Sequence, residues 1–133
     1  YADKAAVIIA DPEQLKRVIN NIISNSVKYM STDRKGIINI RVSDADDFVQ
    51  FEIEDNGKGI AQKDVQYIFD RFYRTDSSRN SAQGGSGIGL SIVKKIISDH
   101  GGQIWATSKE GTGTVMHFVL RKYKNQESGE NDE

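Results

Sequence analysis

Three polar side chains in the first third of the sequence have a spacing that could bring them together for chemistry. Asn21, Asn25 and Lys28 are four and three residues apart, so they would lie along one strip of an α-helix. The surrounding apolar residues put this strip directly beside the apolar face of that helix. Two carboxamides and an ammonium there could coordinate a cation and contact phosphate oxygens. A solvated helix flank is the alternative interpretation.

A carboxylate follows a run of alternating apolar residues in the second predicted strand. Every second residue from Val49 to Ile53 is apolar, and Asp55 continues the same row. A buried carboxylate is costly unless it accepts hydrogen bonds, and the exocyclic amine of a purine is one possible donor. Gly57 and Gly59 would allow a flat ring to approach the backbone. An ordinary Asx turn that starts at Asp55 is the alternative interpretation.

Two further segments are rich in glycine. Residues 84–90 contain four glycines and lead into a predicted helix, where free backbone N–H groups and the helix dipole could bind an anion. This segment lacks the Gly-Lys-Ser/Thr sequence of a Walker A loop, and it does not directly follow a strand as a Rossmann turn does. Residues 111–114, Gly-Thr-Gly-Thr, are also typical of a plain hairpin turn.

Two amphipathic helices are predicted to position these groups. Asp11 as N-cap and Pro12 at the first helical position predict the start of the first helix, which should run to about residue 30. Its predicted core-facing residues are Leu15, Val18, Ile19, Ile22, Ile23, Val27 and Met30. The second helix should begin near residue 90 and end at Gly101 and Gly102.

The strands are predicted in sequential pairs, 37–43 with 48–55 and 103–108 with 113–120. A short first strand over 5–10 and a short helix over 63–71 complete the elements. Sequential hairpins favour a mixed, mostly antiparallel sheet of about five strands, packed on about three helices. The predicted fold class is therefore α/β, a two-layer sandwich.

Composition narrows the class of protein. The 133 residues are enough for one domain, predicted over 1–121, with a charged and disordered tail over 122–133. The lack of cysteine excludes a disulfide scaffold, a thiolate metal site and a cysteine nucleophile. A net charge of −1 does not suggest a nucleic-acid partner, and no apolar run has membrane-spanning length.

Five motifs, in this order, resemble those of the ATP-binding catalytic domain of bacterial two-component sensor histidine kinases. These kinases belong to the superfamily of gyrase, heat-shock chaperones, histidine kinases and mismatch-repair ATPases. The motifs are similar to the N box (21–29), the first glycine box (55–60), the F box (68–74), the second glycine box (85–90) and the last glycine motif (111–114). The resemblance covers about residues 5–121 and implies a Bergerat-type sandwich that binds ATP and Mg²⁺.

The resemblance also implies roles at the phosphate end of such a site. Asn25 would ligate the Mg²⁺ that bridges the phosphates, while Asn21 and Lys28 would contact phosphate oxygens and the waters of the metal. Arg74, with Arg71, would reach the terminal phosphates, so Asn21 and Arg74 are the predicted catalytic residues. The binding residues implied in the second glycine box are Gly85, Gly87, Ile88, Gly89 and Leu90. Residues 75–86 would form a mobile lid that is poorly ordered without nucleotide.

At the adenine end, the resemblance implies that Tyr29 packs against the base and that Asp55 accepts its amino group. The other residues implied there are Gly57, Gly59, Ile60 and Thr114. Among these, the glycines would shape the pocket and Thr114 would support Asp55 through a water molecule.

Residue 21 favours a kinase over an ATPase. Hydrolytic branches of the superfamily place a glutamate at this position as general base for water, and Asn21 cannot usefully accept a proton near pH 7. The acceptor histidine of the family lies on a separate dimerisation hairpin, so His100 and His117 are predicted to be structural. A serine kinase or ATPase of the same superfamily and a non-catalytic nucleotide-sensing interaction module are the alternatives.

The resemblance implies two protein partners, the dimerisation hairpin of the parent kinase and a response regulator downstream. We expect the domain to be a cytoplasmic monomer and its parent protein to lie in the cell membrane.

Overall fold

The computed structural model describes residues 10–70 and 89–122 of the chain. In chain order the elements are α1 (Pro12–Lys28), β1 (Ile38–Ala45), β2 (Phe48–Asp55), α2 (Gln62–Val65), α3 (Gly89–Asp99), β3 (Gln103–Lys109) and β4 (Gly113–Arg121). Within these ranges no helix is long and apolar enough to cross a membrane.

Helix α1 begins as predicted and ends slightly earlier. The Asp11 side chain accepts hydrogen bonds from the N–H groups of Glu13 and Gln14, as an N-cap should. The helix was expected to reach about residue 30, but its last residue is Lys28. Tyr29 leaves helical geometry, and its carbonyl accepts from the Lys58 N–H at 3.0 Å. A contact distant in sequence therefore accompanies the end of this helix.

The four described strands form one sheet in the order β1-β2-β4-β3, and every pair is antiparallel. The β1–β2 turn is tighter than predicted, because Asp44 and Ala45 still pair with β2 and only two residues connect the strands. Asp46 adopts a φ of 60°, which aspartate tolerates better than most residues. Of the predicted first strand, only Ala10 is described, and it lies outside the strands.

Both long helices cover the same face of the sheet. Helix α1 packs on β2 and on α3, while α3 packs on β3 and β4. The fully buried side chains between the two layers are Val18, Ile22, Ile53, Val93, Ile97, Met116, Phe118 and Leu120. Helix α3 ends with a Gly102 N–H bond to the Ile97 carbonyl and with Gly101 at a φ of 75°, the predicted C-cap. The predicted α/β two-layer sandwich is confirmed.

One predicted detail of the core is wrong, and one inner-face residue of the sheet is more exposed than its position indicates. Val27 was placed on the buried face of α1 but is 60% exposed, whereas Ser26 is 3% exposed. At about 100° per residue Ser26 falls at the centre of the apolar stripe and Val27 at its edge. Ile40 shares the inner face of the sheet yet is 53% exposed. It lies on the edge strand β1, while α1 packs on β2.

The short second helix is also shorter than predicted. It was expected over 63–71, but α2 covers only Gln62–Val65. Its N-cap residue, Ala61, has no side chain that can accept from the first free N–H groups. The chain continues as turns through Phe69, with Tyr67 bonded to the Asp64 carbonyl.

Candidate functional site

The predicted polar strip lies on α1 as expected. Asn21, Asn25 and Lys28 are all half-buried, and the neighbouring Ser26 is buried in the helix–sheet interface. Within the described ranges, the Asn21 and Asn25 side chains make no hydrogen bond, and Lys28 pairs with no carboxylate. The Lys28 ammonium lies 5.6 Å from the centre of the Tyr29 ring. These polar groups remain available to a ligand.

Asp55 forms the predicted Asx turn, and its role in binding a purine stays a prediction. Its Oδ1 accepts from the Gly57 N–H at 2.9 Å, which is an Asx turn. Asp55 is also half-buried on the inner face, and no residue in the described part of the chain donates to its Oδ2. One oxygen therefore holds the loop, and the other has no donor within the described residues.

The glycines of the first glycine box are required by close backbone approaches. A Cβ on Gly57 would lie 2.6 Å from the Tyr29 carbonyl oxygen. Gly59 has a φ of 75°, and a Cβ there would lie 2.2 Å from the Lys109 carbonyl oxygen. The loop thus runs between the end of α1 and the β3–β4 turn, with no room for side chains at these positions.

The last glycine motif is more than a plain hairpin turn. The Gly111 N–H donates to the Lys58 carbonyl at 2.7 Å, so the turn is bonded directly to the first glycine box. Gly113 has a φ of 148° and lies against the backbone of Asp55, where a Cβ would come within 2.0 Å of the carbonyl oxygen. The β3–β4 turn therefore supports the strand end that carries the candidate carboxylate.

Thr114 lies directly opposite Asp55 in the β2–β4 register and is 6% exposed. Its hydroxyl lies 2.8 Å from the Ser108 hydroxyl, which also donates to the Gly113 carbonyl at 2.9 Å. The Ser108 oxygen accepts from the Ile60 N–H at 2.8 Å. Sequence reasoning missed Ser108, because its role depends on a cross-strand pairing that no local pattern reveals.

Asn56 was also missed, although it lies inside the recognised motif. Its Nδ2 donates to the Lys35 carbonyl at 2.9 Å, and its Oδ1 accepts from the Ile37 N–H at 2.8 Å. Because the Asn56 N–H also donates to the Ile37 carbonyl at 3.2 Å, the carboxamide extends the pairing between the two strands just before β1. The only signal in the sequence is its position between a candidate carboxylate and two glycines.

The phosphate end of the site is only partly described. Gly89 is the first residue of α3 and is exposed, and Leu90 packs against the core. Arg71, Arg74, Gly85, Gly87 and Ile88 lie outside the described residues, as does the predicted lid at 75–86. A Cβ on Gly89 would meet no atom within 4 Å.

Both histidines have structural contacts. In His100, Nδ1 lies 2.8 Å from the Ile96 carbonyl and Nε2 accepts from the Asp11 N–H at 3.1 Å, which ties the end of α3 to the start of α1. His117 stacks on Trp105 on the outer face of the sheet, with ring centres 5.2 Å apart. The predicted structural roles agree with these contacts.

The side chains at this site suit a metal ion that binds mainly through phosphate and water better than one that needs several protein ligands. Within 10–70 and 89–122, no group of three His, Cys, Asp or Glu side chains could hold a metal ion. The candidate ligand is instead an amide oxygen, that of Asn25. Mg²⁺ usually takes few protein ligands and completes its octahedron with waters and phosphate oxygens, so the residues present fit a metal that arrives with a phosphate ligand.

Residues 10–124 match the family described as histidine kinase-, DNA gyrase B-, and HSP90-like ATPase. The sensor histidine kinase WalK of Bacillus subtilis (strain 168) is 39% identical over 131 residues, which is 98% of this chain and 21% of that protein. The sensor protein kinase WalK of Staphylococcus aureus is 40% identical over 110 residues, which is 83% of this chain and 26% of that protein. The chain thus spans about a fifth to a quarter of the length of these relatives.

Solved structures of similar fold come from the same group. The mycobacterial sensor histidine kinase MprB aligns with a TM-score of 0.76 and 30% identity, covering 89% of this chain and 78% of that one. The catalytic domain of histidine kinase ThkA, in a nucleotide-free form, aligns with a TM-score of 0.73 and 31% identity, covering 91% and 75%. Full-length ShkA in complex with AMPPNP aligns with a TM-score of 0.75 and 27% identity, covering 91% and 24%.

Proposed function

We propose that this chain, which belongs to the histidine kinase-, DNA gyrase B-, and HSP90-like ATPase family, binds ATP with Mg²⁺ and donates the γ-phosphoryl group to a histidine. It corresponds to the ATPase-type catalytic domain of a sensor kinase. That histidine would lie on the dimerisation hairpin of the parent kinase, and a response regulator would receive the phosphoryl group afterwards. The single observation that carries the proposal is that Oδ2 of Asp55, at the start of the first glycine box, accepts from no donor among residues 10–70 and 89–122.

The adenine end of the proposed site lies between α1 and the end of β2. Asp55 Oδ2 would accept a hydrogen bond from the exocyclic amine, since Oδ1 already accepts one from the Gly57 N–H. Tyr29, half-buried at the end of α1, would pack against the base. Gly57 and Gly59 would shape this end of the site, because only glycine lets the loop pack against the Tyr29 and Lys109 carbonyls. A guanine carbonyl would face the carboxylate unfavourably, so the site should prefer adenine.

The phosphate end would use the polar strip of α1. Asn25 would ligate Mg²⁺ through its amide oxygen, and Asn21 and Lys28 would contact phosphate oxygens and metal-bound water. When bound, Mg²⁺ neutralises phosphate charge and helps to hold the phosphates in line for transfer. The roles of Arg71, Arg74 and the second glycine box are proposed from the family resemblance alone.

The side chain at residue 21 supports transfer over hydrolysis. A carboxamide is a poor proton acceptor, so Asn21 would bind but would not activate a water molecule. Phosphoryl transfer depends mainly on positioning and charge stabilisation, which needs no base on this chain. In the proposed step an imidazole nitrogen of the acceptor bonds to the γ-phosphorus as the bond to ADP breaks.

A displacement experiment tests nucleotide binding directly. A fluorescent ATP analogue, titrated with this chain in the presence of Mg²⁺, should give a saturable signal that unlabelled ATP removes. GTP should compete less well, because guanine has a carbonyl at the position where adenine has the amine that would donate to Asp55. A signal that does not saturate, or that ATP cannot displace, would contradict the proposal.

A reconstitution experiment tests the transfer itself. The chain, mixed with a separately produced dimerisation hairpin and labelled ATP, should give acid-labile phosphate on the hairpin histidine. The same hairpin with its acceptor histidine changed to Gln is the matched control. Saturable ATP binding without transfer would favour the nucleotide-sensing module over the kinase.

A further inference from the structure

The loop between α1 and β1 carries an arginine that belongs to none of the nucleotide motifs. Arg34 donates from Nη2 to the Gly111 carbonyl at 2.9 Å and from Nε to Asp33 Oδ1 at 2.9 Å. The Ser31 hydroxyl also donates to Asp33 Oδ1. The hydrogen bond from Ser31, and then that from Arg34, lowers the pKa of the Asp33 carboxyl. At neutral pH the ionised Asp33 carboxylate thereby orients the Arg34 guanidinium towards Gly111.

A chain of backbone hydrogen bonds connects Gly111 to the proposed adenine end. The Gly111 N–H donates to the Lys58 carbonyl at 2.7 Å, and the Lys58 N–H donates to the Tyr29 carbonyl at 3.0 Å. Lys58 belongs to the first glycine box, so these bonds set the distance between that loop and Tyr29. Three hydrogen bonds therefore lead from the Arg34 side chain to Tyr29, the residue proposed to pack against the base.

Two backbone hydrogen bonds hold the tip of the β3–β4 turn, from the Gly111 N–H to the Lys58 carbonyl and from the Thr112 N–H to the Lys109 carbonyl. Gly111 is exposed, has a φ of 84°, and a Cβ there would meet no atom within 4 Å. In the described part of the chain, Arg34 is the only side chain that bonds to the Gly111 carbonyl. Asn56 anchors the segment directly after Arg34 through its bonds to Lys35 and Ile37. Arg34 thus extends towards the turn from a part of the loop that is itself bonded to the first glycine box.

We propose that Arg34 is a positioning residue for the adenine end of the nucleotide site. By bonding the Gly111 carbonyl, its guanidinium holds the turn against Lys58 and so maintains the spacing between Tyr29 and the first glycine box. Arg34 acts through these backbone groups and does not contact the nucleotide. This inference rests on the proposed function, because it requires that ATP bind beside Tyr29 and Asp55.

Calorimetric titration of the full chain with ATP and with ADP tests this role. R34Q should raise both dissociation constants equally, by about fivefold to tenfold, because it removes a charged donor from a carbonyl that supports the base and not the phosphates. The strengthening of ATP binding by Mg²⁺ should stay unchanged. R34K keeps a donor for Gly111 but loses the bond from Nε to Asp33, so its affinity should lie between those of R34Q and the wild type.

R41Q is the matched control. Arg41 also bonds two acceptors at 2.7 and 2.9 Å, but on the outer face of the sheet. It should bind ATP within about twofold of the wild type, because its lost ion pairs lie away from the site. An equal loss of affinity in R34Q and R41Q would mean general destabilisation and would overturn the proposed role.

Amide exchange without nucleotide provides a second readout. The Gly111 and Lys58 amides should exchange faster in R34Q than in the wild type and in R41Q, because their bonds lie in the connection that Arg34 holds. Unchanged exchange, or R34Q affinity within about twofold of the wild type, overturns the inference. A wild-type chain that binds no ATP overturns the proposed function itself, and this result is distinguishable because it involves no variant.

Discussion

Strand β2 carries two kinds of carboxylate, and they serve different parts of the molecule. Glu52 and Glu54 lie on the outer face, where Arg41 bonds them at 2.9 and 2.7 Å. Asp55 lies on the inner face at the end of the strand, with one oxygen held by the Gly57 N–H and the other without a donor among the described residues. Glu52 and Glu54 are therefore structural carboxylates, whereas Asp55 on the same strand is a candidate binding carboxylate.

Glu52 belongs to a row of residues that crosses the four described strands. In the strand register Trp105 is opposite His117, His117 opposite Glu52, and Glu52 opposite Arg41. His117 Nδ1 lies 3.3 Å from Glu52 Oε2 but is not aligned for a hydrogen bond, so this contact becomes an ion pair only when the ring is protonated. Glu52 therefore has a cationic partner within the protein, whereas Asp55 has none in the part of the chain that the structure describes.

The largest expected effect is on stability, and it follows from removing a side chain of the core between the helices and the sheet. Phe118 is fully buried and stacks on Phe51 of β2, with ring centres 4.6 Å apart. Phe118→Ala should lower the free energy of unfolding by about 3–5 kcal/mol, because it leaves a cavity under the central strands. Chemical denaturation measures this loss. A change below about 1 kcal/mol would contradict the assignment of Phe118 to the core.

The next largest effect is expected at Asp55. Asp55→Asn keeps Oδ1 for the Gly57 N–H but places an amide donor where the adenine amine would donate. Since a hydrogen bond to a charged group contributes about 1.5–3 kcal/mol, ATP affinity should fall by roughly tenfold to a hundredfold. Stability should change little. Calorimetry that gives an affinity within about twofold of the wild type would refute the role, and Glu54→Gln on the outer face is the matched control.

A smaller effect, specific to the metal, is expected on α1. Asn25→Ala should abolish the dependence of ATP binding on Mg²⁺, because it removes the proposed amide ligand, while adenine contacts persist. Titrations with Mg²⁺ and with a chelator should then give the same dissociation constant. Asn20→Ala, at an exposed position on the same helix, should keep the wild-type dependence. If Mg²⁺ still strengthens binding equally in Asn25→Ala, the ligand assignment is wrong.

The smallest effect is expected at Glu52, and it should concern stability alone. The hydrogen bond from Arg41 lowers the pKa of Glu52 below the ordinary value of 4.5, against the opposing effect of burial. The pair therefore stabilises the fold above about pH 4.5, and this contribution is lost as the pH falls through the lower folded-state pKa. Glu52→Gln should cost at most about 1 kcal/mol at pH 7.

Denaturation at several pH values checks that expectation. The difference between the wild type and Glu52→Gln should shrink on acidification, while ATP affinity at pH 7 stays unchanged. A stability difference that does not vary with pH would contradict the ion-pair explanation. A large loss of ATP affinity would remove the distinction between the two kinds of carboxylate on β2.

Local patterns in the sequence were sufficient for most of the elements. The Asp11 cap, the alternation that leads to Asp55 and the C-cap at Gly101 all reappear in the structure. Each depends on backbone geometry that repeats within a few residues, so it can be predicted without knowing what the element packs against. The motif order was likewise enough to indicate the family.

Details that depend on neighbours were not predictable in this way. Val27 and Ile40 follow apolar patterns but are exposed, because the position of α1 over β2 decides how much of each face is covered. The end of α1 coincides with a bond from Lys58 to Tyr29, residues that lie far apart in sequence.

Local patterns were enough to predict the described helices and strands, and they indicate polar groups that a nucleotide could use. How these groups are supported, through Asn56, Ser108 and Arg34, follows from the packing of the layers. The physical reason is that a side-chain period comes from the local backbone, whereas a hydrogen bond between distant loops depends on how the layers pack. Asp55 shows both, since its place on the inner face follows from alternation, whereas the bond from the Gly57 N–H to its Oδ1 follows from the turn.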